Sequence, residues 1–242
     1  MIRIPTAVIL MLSVHYAVAQ SIPAGGADVV GKPAEVTTTD HMNFAPGGLI
    51  RIEGSYGTLN VEGWDKAEVE VTVTRSRPLR FGDSPKPDQD KRRLESIGIK
   101  TVLKSPAELT ISTTLRSVHR AWLSPLPRTT TNDVDADYEI HVPRDSRLAI
   151  QHRVGFVQVR GVTGDIQASA GRADILLWLP LGDYSIDAKT KFGIVSSELD
   201  GTAHDRYLVG EHFAHATPAP SHRLDLRVGF GGITIRQIPP EE

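Results

Sequence analysis

One phrase recurs in the C-terminal half of the chain at a fixed interval. It reads VGFVQV at 154–159, FGIVSS at 192–197 and FGGITI at 230–235. Its glycines, Gly155, Gly193 and Gly231, fall 38 residues apart, twice. Hairpins closed one by one need no such interval. A coil of strands does, because each turn must set its apolar residues over those of the turn below. The full formula is a strand with two apolar teeth, four residues, a glycine, and a second two-toothed strand. Ile50-x-Ile52 leads to Gly57-x-Leu59-x-Val61, and Leu148-x-Ile150 to Gly155-x-Val157-x-Val159. Ile186-x-Ala188 leads to Gly193-x-Val195-x-Ser197, and Leu224-x-Leu226 to Gly231-x-Ile233-x-Ile235. The unit recurs offset by nine, from Val157-x-Val159 to Gly164-x-Ile166-x-Ala168. Period-2 alternation predicts short strands, and glycine allows a sharp corner with φ > 0. If 38 residues make two turns, each holds about 19 residues and two strands, roughly 4.8 Å from the next. The expectation is an all-β coil with corner glycines Gly57, Gly155, Gly164, Gly193 and Gly231. An antiparallel β-sandwich with similar hairpins is the alternative.

Outside the repeat the chain is uneven. MIRIP followed by TAVILMLSV and AVAQ sets one positive charge, a short apolar run and small residues at Ala17 and Ala19. That order predicts a signal peptide over 1–19, cleaved between Ala19 and Gln20. Residues 20–40 are small and polar, with Gly and Pro, and predict a flexible lead-in. A single domain is expected over 41–242, with a loop-rich insertion at 76–133. The one helical candidate is PDQDKRRLESI at 87–97. No stretch after the leader reaches the ~18 apolar residues of a membrane span. The absence of cysteine excludes disulfides, thiolate metal sites and cysteine nucleophiles. A net charge of −2 offers no global attraction for nucleic acid.

The segments IRIEGSYGTLNVEGWDKAEVEVTVTR, DYEIHVPRDSRLAIQHRVGFVQVRGVTGDIQASAGRADI and LDLRVGFGGITI resemble the bacterial exported proteins known as "putative adhesins", a family of unknown function. The likeness covers roughly 41–238 and includes the step Ile140-x-Val142-Pro143. It implies a right-handed, parallel β-helix or solenoid-like coil, exported to the periplasm or cell exterior. The segment 76–133 departs from the pattern.

Motifs with chemistry are few. His204, His212, His215 and His222 crowd one stretch but lack metalloprotease spacing. Asp133, Asp135 and Asp137 alternate as in the opening of a calcium loop, yet Tyr138 and Arg144 stand where Gly and Glu are needed. A loose calcium site there is the one cofactor left open. Gly229, Gly231 and Gly232 lead into a strand, so they form a corner and not a phosphate loop. No catalytic motif is found. The run 75–93 holds seven Lys/Arg against three Asp, and Trp122 lies in a Pro-bounded apolar loop. Arg92, Arg93 and Trp122 are therefore the expected surface-binding residues, or in the case of Trp122 a cap on the coil. The reading is a non-enzymatic envelope or surface scaffold whose partner is an envelope component, glycan or protein. The alternatives are an exported polysaccharide-acting enzyme and a self-assembling structural protein.

Overall fold

The computed structural model describes residues 34–77, 87–95, 97–115, 134–206 and 209–239. The leader, the cleavage point Ala19–Gln20 and Trp122 lie outside them. The described chain is all-β, with fourteen strands and one short helix. In order these are β1 (Glu35–Asn43), β2 (Leu49–Trp64), β3 (Glu68–Ser76), α1 (Pro87–Glu95), β4 (Ile97–Ser105), β5 (Glu108–Leu115), β6 (Asp135–Pro143) and β7 (Arg147–Arg160). There follow β8 (Ile166–Leu179), β9 (Tyr184–Phe192), β10 (Val195–Ser197), β11 (Thr202–Arg206), β12 (Gly210–His215), β13 (His222–Phe230) and β14 (Ile233–Gln237). Among the described residues, no helix is long and apolar enough to cross a membrane.

Alternation decides which side of each strand is buried. In β3, Val69, Val71 and Val73 are buried while Glu68, Glu70, Thr72 and Thr74 are half-exposed. The long strands β2, β7 and β8 each belong to two ladders. Their first halves lie between β5 on one side and β13, β9, β12 and β11 on the other. Their second halves lie between β1, β3 and β6 on one side and β14 and β10 on the other. Ile50, Leu148, Ile166, Leu224 and Ile186 are stacked teeth of the first ladder. Leu59, Val157, Ile175 and Ile233 are stacked teeth of the second. All belong to one contiguous core.

The two ladders meet at a corner. Gly57, Gly155, Ala173, Gly231 and Gly193 succeed one another across adjacent strands there. Gly155 and Gly193 have φ of 131° and 142°, and a Cβ on either would strike the carbonyl of the next corner glycine, Gly57 or Gly231. Ala173 is the corner residue between Gly155 and Gly193 along the chain, so the chain passes the corner once more within each 38-residue interval. Gly164 lies elsewhere, in the turn between β7 and β8, where a Cβ would strike the backbone of Ser146.

The sheet departs from the expected uniformly parallel coil in two ways. Spatial order is not chain order, since β2 lies between β6 and β7, and β13 lies between β8 and β9. The margins are antiparallel, at β1–β3, β3–β6, β4–β5, β11–β12 and β12–β9. The sheet is therefore mixed, with a parallel centre. The physical reason lies in the formula itself. Every copy presents the same teeth, so a strand from either end of the chain fits beside any rung.

The helix α1 opens on Pro87, with Asp88 and Asp90 in its first turn, both favourable at a helix N-terminus. Its Leu94 packs with Ile97 and Val134 in a second, smaller cluster. Arg77 reaches the Asp90 carboxylate at 2.9 Å.

Candidate functional site

The outer side of the second ladder carries a continuous row of large polar and aromatic side chains. His141 of β6, Glu62 of β2, Arg160 of β7, Trp178 of β8 and Arg236 of β14 stand in mutual register. Five strands at about 4.8 Å make a row of roughly 19 Å. Period 2 forces these residues outward, because their neighbours Val61, Val159, Leu177 and Ile235 are committed to the core.

Trp178 stands between the two cations of the row. The Arg160 guanidinium lies 5.8 Å and that of Arg236 5.2 Å from its ring centroid. Both cations are drawn to the π-face, which holds their forks on the sheet while their N–H groups remain available. Glu198 stands 3.9 Å from Arg236 and accepts the Gln237 backbone N–H at 3.0 Å. At the other end, His141 stacks on Trp64, with centroids 5.0 Å apart and 22° between planes, and lies 3.7 Å from Glu62. A second row, two residues nearer the corner, brings Asn60, Gln158, Leu176, Thr234 and Ser196 into register. Together the rows offer planar donors, amides, a carboxylate and indole surface on a rigid floor.

The outer side of the first ladder carries a charged knot. The Asp187 carboxylate takes Lys189 at 2.9 Å, Arg227 at 2.8 Å and His212 at 2.8 Å. Partial burial pushes the Asp187 carboxyl up, but the hydrogen bonds and charges of Lys189 and Arg227 outweigh it and hold the group below the usual carboxylate value. The knot is internally satisfied and reads as a strand-to-strand clasp.

A Ser–His pair lies inside the corner. Ser55 Oγ and His152 Nδ1 are 2.9 Å apart. Burial lowers the His152 pKa to about 4, against the opposing influence of the Val154 and Gly57 backbone. Ser55 is fully buried and His152 is 3 % exposed, so a substrate cannot reach the hydroxyl. The pair fills the core.

The residues singled out from sequence are scattered. Arg92 is exposed on α1, where its Nε donates to the Asp88 carbonyl at 3.2 Å. The Arg93 side chain and Asp133 lie outside the described residues. Asp135 and Asp137 are exposed on one side of β6. His204 pairs across the β11–β12 ladder with His212. His215 donates to the Asp200 carbonyl, and His222 packs on Tyr184 at 5.9 Å. Among the described residues, no three His, Asp or Glu gather as metal ligands. The Trp178 row is not legible in the sequence because members successive along the chain are 18 to 79 residues apart; the only available signal is their shared outward phase in successive strands.

No family profile and no curated protein sequence matches the chain. In structure it is similar to a "putative cell adhesion protein" from Clostridium sporogenes, at 13 % identity and a TM-score of 0.45, over 86 % of this chain and 100 % of that one. It is also similar to a "putative adhesin" from Parabacteroides merdae, at 10 % identity and a TM-score of 0.30, over 68 % and 62 % of the two chains. A third, a "putative adhesin" from Bacteroides fragilis, has 10 % identity and a TM-score of 0.25, over 84 % and 97 %.

Proposed function

We propose that the protein is a non-enzymatic, exported β-coil scaffold that binds an envelope or surface glycan on the outer side of its second ladder. The observation that carries this reading is Trp178 set between Arg160 and Arg236 in one row across the strands. Trp and Arg dominate recognition energetics because they combine large contact area with directional hydrogen bonding. Planar guanidinium, amide and carboxylate groups in register suit a repeating polyhydroxylated chain laid along the row. The inward teeth are fully used in packing, so recognition falls to outward residues. The parallel centre of the mixed sheet supports this reading: it stacks equivalent residues on successive strands, as a solenoid does. Arg92, Arg93 and Trp122, in the 76–133 insertion, belong to the same reading as a second contact region.

The test is affinity electrophoresis of the wild-type protein and of Trp178→Ala through gels containing acidic or neutral polysaccharides. Retardation that Trp178→Ala reduces by tenfold or more in affinity, with an unchanged melting temperature, is the expected result. Equal migration of both proteins in every gel overturns the proposal. Release of reducing ends from a retarding polysaccharide overturns its non-enzymatic part.

A further inference from the structure

The corner between the two ladders is unusually apolar on its outer side. Seven large hydrophobic residues are exposed among the described residues, and five of them gather here: Val154 (53 %), Phe192 (45 %), Ile194 (70 %), Val209 (56 %) and Phe230 (49 %). They come from different stretches of chain but form one ridge. Val154 and Phe230 each register with Arg172, on opposite sides of β8, and Phe230 registers with Phe192. Ile194 follows Gly193, whose N–H donates to the Val209 carbonyl at 2.9 Å. The rings of Phe192 and Phe230 stack with centroids 4.5 Å apart and planes within 8°. A contiguous exposed patch of this kind marks an interaction surface.

The charges on the ridge are one-sided. Arg153, Arg172 and Lys191 are exposed within it, and among the described residues none of the three has an ion-pair partner. The Arg172 guanidinium stands 5.9 Å from the Phe230 ring. The nearby acids are turned to the corner backbone instead. Asp174 accepts the Gly232 N–H at 2.7 Å, and Glu211 accepts the Val195 N–H at 2.7 Å.

We propose that this ridge docks the protein on an anionic lipid surface. Apolar side chains rimmed by cations are the chemistry of interfacial attachment. The rings enter the boundary between headgroups and acyl chains, and Arg and Lys meet the phosphates. The ridge lies on a rigid corner held by backbone hydrogen bonds, so it presents its side chains without an ordering cost on docking. It is also separate from the Trp178 row. The two share no residue, and Arg236 lies six residues beyond Phe230, past the corner and in the other ladder. Lipid and glycan can therefore be bound at once, which would hold the protein at a membrane with its glycan-binding side clear.

The test is co-sedimentation of the full chain with vesicles of phosphatidylcholine alone and of phosphatidylcholine with phosphatidylglycerol. The proteins are wild type, Phe192→Ser with Phe230→Ser, and Arg172→Glu. All carry the same first twenty residues, so differences between them report the ridge. The expected result is binding to the anionic vesicles that weakens with salt and falls on the order of tenfold in each variant, with unchanged melting temperatures. Three outcomes overturn the proposal: no binding to anionic vesicles, equal binding by wild type and variants, or equal binding to both vesicle types. A concentration-dependent dimer that the Phe variants abolish also overturns it, since the ridge would then be a seam between two copies.

Discussion

The carbonyl of Gly231 occupies the space that a β-carbon on Gly193 would need. The two residues are neighbours in the corner stack, and Gly193 also has a φ of 142°, which side-chain-bearing residues rarely adopt. Gly193→Val combines a backbone clash with conformational strain. It is expected to destabilise the protein by ~1–3 kcal/mol, visible as a lower urea midpoint. An unchanged midpoint would mean that the corner does not depend on close backbone approach.

His152 predicts loss of stability in acid. An unfolded histidine takes its proton near pH 6.5, whereas the buried one resists until about 4. Between those values the unfolded state binds the extra proton, so stability falls as pH falls. The contribution is complete above about pH 6.5, and up to roughly 3 kcal/mol is lost on reaching pH 4. Comparing urea midpoints at pH 7 and 4.5 for wild type and His152→Asn isolates this group. A smaller acid loss in the variant is expected, and an equal loss would exclude His152 as its source.

Tyr138 and Thr113 make a buried hydroxyl pair, with oxygens 2.7 Å apart. Tyr138→Phe leaves the Thr113 hydroxyl without this partner, at an expected cost of about 1–2 kcal/mol. Adding Thr113→Val should recover part of that cost, because both polar groups are then gone. Thermal melts of the two single variants and the double variant measure the coupling.

Residues 1–19 are expected to be removed on export. N-terminal sequencing of protein recovered from the producing cell should begin at Gln20. A sequence beginning at Met1 on cytoplasmic protein would refute export.

The local content of this protein was legible in its sequence. The teeth Ile50, Leu148, Ile186 and Leu224 alternate with polar residues, and period 2 leaves each of them one buried side. Gly57, Gly155, Gly193 and Gly231 are glycine because few other residues tolerate both the positive φ and the close carbonyl, whereas Gly164 sits in a turn away from the corner. The helix at 87–95 is marked by Pro87 and its acidic first turn. These are properties of a few consecutive residues, so no fold is needed to read them.

Order and adjacency were decided only by the tertiary structure. Leu148 has Ile50 on one side and Ile166 on the other, although Ile50 lies far back in the chain. Leu224 likewise enters between Ile166 and Ile186. Nothing local selects these neighbours, because every rung carries interchangeable teeth and the choice rests on how the whole set closes. The Trp178 row and the Phe192–Phe230 ridge follow from that choice. Each residue's outward phase is set by its own strand, but only the packed order of strands brings Arg160 and Arg236 to the two sides of one indole, or two distant phenylalanines into a stack.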